Sequence, residues 1–91
     1  MSVRVRIPTP LRQLTNGERL VEVGGADLAQ AIDELDRRFP GLRARIVDEQ
    51  GEVLRFVNIF VNGENIREKA FEDTSLKDSD LVHILPSVAG G

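Results

Sequence analysis

Val3, Val5 and Ile7 alternate with Ser2, Arg4 and Arg6 at the start of the chain. A period of two is the mark of a strand with one buried face, and Pro8 and Pro10 end it. Leu11 and Leu14 are placed to tuck beneath a sheet before the Asn16-Gly17 turn. Residues 18–23 read as a second strand returning antiparallel, which Gly24-Gly25 breaks. The period then changes. Leu28, Ala31, Ile32, Leu35 and Phe39 recur at helical spacing and make one apolar stripe. Asp27 is a candidate N-cap with Gln30 as its box partner. Arg37 and Arg38 complement the dipole of the last turn, and Pro40-Gly41 stops the helix.

Residues 42–47 fit either a short helical turn or an irregular connection, and residues 48–51 form a turn. Residues 53–61 are rich in β-branched and aromatic side chains and predict a strand. Asn62-Gly63 is a strong hairpin signal, with residues 64–67 as the short return strand. A loop covers residues 71–76, and Asp78-Ser79-Asp80 leads into a last strand over residues 81–85, ended by Pro86. The expected fold is α+β, a five-stranded mixed sheet packed on one main helix. Its expected core is Val3, Val5, Ile7, Val57, Ile59, Val61, Val82 and Ile84. Residues 1–85 are expected to form the domain and residues 86–91 a flexible tail.

Composition narrows the chemistry. Ninety-one residues allow one domain with a single core. With no cysteine and His83 as the one histidine, disulfides, thiolate catalysis, cysteine-type zinc and histidine-rich metal sites are excluded. The net charge of −3 argues against a nucleic-acid binder, which needs a concentrated basic face. No apolar run approaches membrane-spanning length, and the alternating start is unlike a signal peptide, so a cytoplasmic location is expected. Gly24-Gly25 lacks the lysine and spacing of a phosphate loop. Asp33, Glu34 and Asp36 form a solvated helix face.

The sequence closes on Val88-Ala89-Gly90-Gly91. Two glycines without Cβ atoms make a thin, unrestricted backbone. Pro86, Val88 and Ala89 bring no charge, so the Gly91 carboxylate is expected to be the one ionised group of the tail. Such a tail can thread a narrow channel and present its carboxylate to another protein's active site.

The element order, the segment Val57-Asn58-Ile59-Phe60-Val61-Asn62-Gly63 and the run from Asp78 into Val88-Ala89-Gly90-Gly91 resemble the β-grasp, ubiquitin-like sulfur carriers of the MoaD/ThiS family. Ile7-Pro8-Thr9-Pro10-Leu11-Arg12 and Arg55-Phe56-Val57-Asn58-Ile59 resemble its cysteine branch, the CysO-type carriers. The resemblance implies a protein cosubstrate rather than an enzyme. An E1-like (MoeB/ThiF-type) adenylyltransferase, using ATP and magnesium, would activate Gly91, and sulfide or a persulfide would convert it to a thiocarboxylate. A sulfur-accepting synthase would follow, of cysteine synthase, thiazole synthase or molybdopterin synthase type. Pyridoxal phosphate would serve a cysteine-type acceptor, and a metallopeptidase would release the product. No cofactor is expected on this chain, and neither nucleic acid nor membrane is an expected partner.

In a ubiquitin-like sheet the first and third strands flank the last. Strand alternation then gathers Arg4, Arg6, Asn58, an exposed Phe60, Leu81, His83 and Leu85 on the outer face. Phe60, His83, Leu85, Arg4 and Arg6 are the expected partner-binding surface, with Pro86, Val88, Ala89 and Gly90 recognised as the tail. His83 has no triad partner, thiol or metal companion and reads as a contact residue. Two other readings share this architecture: a ubiquitin-like modifier joined through Gly91 to lysines of targets, and the small subunit of a molybdopterin-synthase-type complex. A ferredoxin-like module loses on the missing cysteines, and a free-standing enzyme lacks a nucleophile, base and orienting group.

Overall fold

A computed structural model describes residues 2–55, 57–66 and 74–86. Strand β1 spans Ser2–Arg6, β2 Leu20–Gly24, helix α1 Leu28–Arg38, β3 Val57–Val61, β4 Glu64–Asn65 and β5 Leu81–Pro86. These strands form one sheet in the order β2-β1-β5-β3-β4. β1 and β5 run parallel while the other neighbours are antiparallel, so the sheet is mixed. The central position of β5, between β1 and β3, is what the resemblance to ubiquitin-like sheets implies.

The alternation of β1 is realised in full: Val3 and Val5 are buried, and Arg4 and Arg6 are exposed. Beyond it, a 3-10 turn over Thr9–Thr15 carries Leu11 into the core and leaves Leu14 half-buried against it. The buried Thr15 hydroxyl lies 2.9 Å from the Glu18 carbonyl and 3.2 Å from that of Arg12, which fastens this turn before β2.

Helix α1 begins as its sequence predicts. The Asp27 carboxylate accepts from the Gln30 backbone N–H at 2.9 Å. The Gln30 side chain reaches back to the N–H of Ala26, one residue before the cap, also at 2.9 Å. Leu28, Ala31, Ile32 and Leu35 are buried against the sheet, with Phe39 half-buried beyond them. Gly25 fits where no side chain would: a Cβ there would stand 2.8 Å from the Ala31 backbone nitrogen, at a φ of +152°.

The structure corrects the sequence reading in the middle of the chain. Residues 53–55 do not extend β3. Val53 bridges to Val47, and the Leu54 N–H donates to the Ile46 carbonyl at 2.9 Å, so the chain is folding back here. The undecided 42–47 segment contains a 3-10 turn, Arg43–Arg45, and buries Leu42, Ile46 and Val47. Val61 is half-buried, not core, because its neighbour β4 is only two residues long. The other seven expected core residues are buried, and Val21, Val23, Ile66 and Leu76 join them. Asn62 (φ 52°) and Gly63 (φ 88°) form the expected tight hairpin. Arg67 and residues 71–73 of the expected 71–76 loop lie outside the described residues.

Candidate functional site: the outer sheet face and the end of β5

Helix α1 covers one face of the sheet and leaves the other open. Cross-strand register places Leu20 opposite Arg6, Arg6 beside His83, His83 opposite Phe60, and Phe60 opposite Asn65. This row crosses all five strands, about 19 Å at the usual spacing between neighbours. Arg4 beside Leu81 and Asn58 opposite Leu85 flank it. Arg4, Arg6, Phe60, His83 and Leu85 are thus neighbours, as expected. Phe60 is half-buried rather than exposed, because it stands between His83 and Asn65 on adjoining strands.

Leu20 and Leu85 are the large apolar side chains most open to solvent among the described residues, at 45% and 39%. Leu20 was missed by sequence reading. Its signal is weak: it sits at the first position of β2, on the polar side of the alternation.

The ion pairs among the described residues, Arg37–Glu34 and Arg43–Asp33, belong to the helix and the connection after it. Arg4 instead donates to the Ser79 carbonyl at 3.3 Å. Burial lowers the His83 pKa from its ordinary value, and the charge of Arg6 lowers it further. A neutral imidazole therefore faces solvent at pH 7, between a cation and an aromatic ring, which suits a surface that must shed water to bind.

A polar clip holds the start of β5 to the hairpin. The Asn62 side chain donates to Asp80 at 2.9 Å and accepts from the Leu81 N–H at 3.0 Å, while Asp80 also accepts from the Lys77 N–H at 2.8 Å. These bonds, the Asn62 one first, hold the Asp80 carboxyl below its ordinary pKa. Sequence reading gave Asn62 and Asp80 turn roles but did not join them.

At its other end, β5 runs one residue beyond the expected stop, since Pro86 pairs with Val57 at the sheet margin. The expected tail site Val88, Ala89, Gly90 and Gly91 lies outside the described residues. β5 therefore links the open face to the start of that segment.

The profile of the ThiS family matches residues 5–91, nearly the whole chain and through both terminal glycines. The chain belongs to the ThiS family. It is 42% identical, over 93 aligned residues and the full length of both proteins, to the sulfur carrier protein CysO of Mycobacterium tuberculosis. The crystal structure of that CysO superposes with a TM-score of 0.87 at 40% identity, covering 94% of this chain and 99% of the other. The BexX/CysO complex of Amycolatopsis orientalis contains a chain matching at TM-score 0.89 and 43% identity, with coverage of 98% and 99%. Small archaeal modifier protein 3 of Haloferax volcanii is 35% identical over 66 residues, 72% of this chain and 71% of its own. The chain is thus a CysO homologue with the β-grasp, ubiquitin-like fold. Among the described residues no helix is long and apolar enough to cross a membrane.

Proposed function

We propose that this ThiS-family chain is a cytoplasmic sulfur carrier whose reactive group is the Gly91 carboxylate. The observation that carries the reading is full-length likeness to CysO together with a family match reaching Gly91. An α-carboxyl group ionises at about pH 3.3 to 3.7, so at neutral pH it is an anion able to attack phosphorus. In a partner adenylyltransferase, a Gly91 oxygen attacks the α-phosphorus of magnesium-bound ATP and pyrophosphate leaves. Sulfide then attacks the acyl carbon and AMP leaves, giving the thiocarboxylate. A persulfide donor does the same, with a thiol reducing the S–S bond afterwards.

The chain itself supplies recognition and reach. The outer row, with Phe60 and neutral His83 at its centre, docks the partner, Arg4 and Arg6 border it, and Leu85 and Pro86 lead towards the tail. Val88, Ala89 and the side-chain-free Gly90 pass the channel. ATP, magnesium and the pyridoxal phosphate of a cysteine-type acceptor belong to the partners, as does a product-releasing metallopeptidase. The chain is then a cosubstrate and not a catalyst.

The likeness to an archaeal modifier protein favours one second reading, conjugation of Gly91 to target lysines, which shares the adenylation step. ATP–pyrophosphate exchange with the adenylyltransferase tests that shared step. Gly91→Ala should impair it at the reacting carbon, and Gly90→Ala at the threading step, with the fold unchanged. Normal exchange by the doubly substituted chain would remove the proposal.

A further inference from the structure

Two Asn-Gly pairs occur in the chain, Asn16-Gly17 and Asn62-Gly63. Their backbones are nearly alike. Asn16 and Asn62 are left-handed, with φ of 56° and 52°, and the glycines follow at 84° and 88°. All four residues are exposed, and each asparagine follows a β-branched residue, Thr15 or Val61. What differs is the hold on the side chain. The Asn62 amide is bonded at both ends, Nδ2 donating to Asp80 at 2.9 Å and Oδ1 accepting from the Leu81 N–H at 3.0 Å. Its backbone N–H also donates to the Leu81 carbonyl at 2.8 Å. The Asn16 side chain makes no hydrogen bond among the described residues. Next to it, the Gly17 N–H donates to the Arg12 carbonyl at 2.7 Å.

An Asn-Gly pair can attack itself, because glycine sets no Cβ beside its own nitrogen. The glycine amide gives its proton to hydroxide, and its nitrogen bonds to the asparagine Cγ, closing a five-membered imide. The Cγ–Nδ2 bond breaks, and ammonia leaves with a proton taken from water. Water then opens the ring at either carbonyl, leaving isoaspartate or aspartate. Asparagine and water have become an acid and ammonia. Before any of this, the side chain must turn onto the following nitrogen, so bonds that hold the amide elsewhere oppose the reaction.

We infer that Asn16 is the site of spontaneous succinimide formation and isoaspartate modification in this protein, and that the clip from Asp80 and Leu81 protects the matching pair at Asn62. The protection falls where the damage is greater. An acid at position 62 replaces Nδ2 with an oxygen facing the Asp80 carboxylate, and the clip at the start of β5 becomes a like-charge contact. At Asn16 the aspartate product adds only a charge, while isoaspartate lengthens by one atom the turn that Thr15 fastens. Neither site depends on what Gly91 does.

The test is timed incubation of the full chain in mildly alkaline buffer, followed by brief peptic digestion in acid and mass spectrometry of each pair. In the folded chain Asn16 should convert about tenfold faster than Asn62, the order of effect that one hydrogen bond to a charged group supplies. In urea the two rates should converge. Asp80→Ala opens one end of the clip and should speed Asn62 at least threefold, with the Asn16 rate unchanged as the sign that the fold is intact. A parallel rise at both pairs is unfolding of the variant, and the ratio in the unsubstituted folded chain then decides alone. Equal rates in that chain, a faster Asn62, or no conversion at either pair overturns the inference. So does a tenfold ratio that survives in urea, which would put its cause in the neighbouring residues, or an Asn62 rate that Asp80→Ala leaves as it was.

Discussion

The two faces of β5 are built from the same strand and put to opposite uses. Towards the helix it presents Val82 and Ile84, each with no solvent exposure, amid Val3, Val5, Ile59 and Leu35. Away from the helix it presents Leu81, His83 and Leu85, all partly or openly exposed, between Arg6 and Phe60. One side is spent on the core. The other retains apolar surface that folding has not consumed, and the difference separates what holds the molecule from what it can offer to a partner.

Substitution should divide along that line. The largest effect is expected inside: Ile59→Ala, opposite Ile84 on β3, empties a closed site and should lower stability by about 2 to 5 kcal/mol, read by urea denaturation. A loss well under 1 kcal/mol would mean that this face is not the continuous core described. Next comes the outer face. Phe60→Ser should lower the urea midpoint modestly, because Phe60 is half-buried, and weaken binding of the folded chain to the adenylating partner about thirtyfold, the usual size of an interface hot spot. Equal binding by a folded Phe60→Ser chain would leave the outer row without its assigned role.

At the margin between the faces, Asp27→Ala removes the carboxylate that caps α1 and should cost about 1 kcal/mol, with the helix still present by circular dichroism. The smallest effect concerns His83. Burial and Arg6 depress its folded pKa, so the unfolded chain takes up this proton first as pH falls below about 6.5. Its contribution to stability is thus complete above that pH and declines as the pH drops towards the folded value. His83→Gln should flatten this part of the pH–stability profile, and an identical slope in the variant would contradict the assignment.

The same division explains which features could be read from sequence. Helix α1 was legible because Asp27, the stripe from Leu28 to Leu35 and Pro40-Gly41 all signal one element locally. β1 and the Asn62-Gly63 hairpin were legible for the same reason. The 42–56 stretch was not. Leu42, Ile46 and Val47 are buried by a 3-10 turn and an isolated bridge, which impose no period on the sequence. Val53 and Leu54 have strand-like or apolar side chains, yet their backbone bonds go to Val47 and Ile46 rather than to the sheet. On the open face, alternation placed Arg6, Phe60 and His83, and the strand order implied by the family resemblance made them neighbours, as the register shows. Leu20 and the Asn62–Asp80 clip needed the register itself. The reading of Gly90 and Gly91 rests on carboxylate chemistry and family likeness rather than on packing, and both lie outside the described residues.

The central claim concerns Gly91, and the absence of cysteine makes it directly measurable. The chain is incubated with a ThiF-type adenylyltransferase, ATP and sulfide, treated with a thiol-selective alkylating reagent, and digested for mass spectrometry. We predict a single adduct, on the peptide ending at Gly91, dependent on ATP. Unmodified C-terminal peptide under conditions that support adenylation, with Gly91 found instead on target lysines, would contradict the sulfur-carrier account.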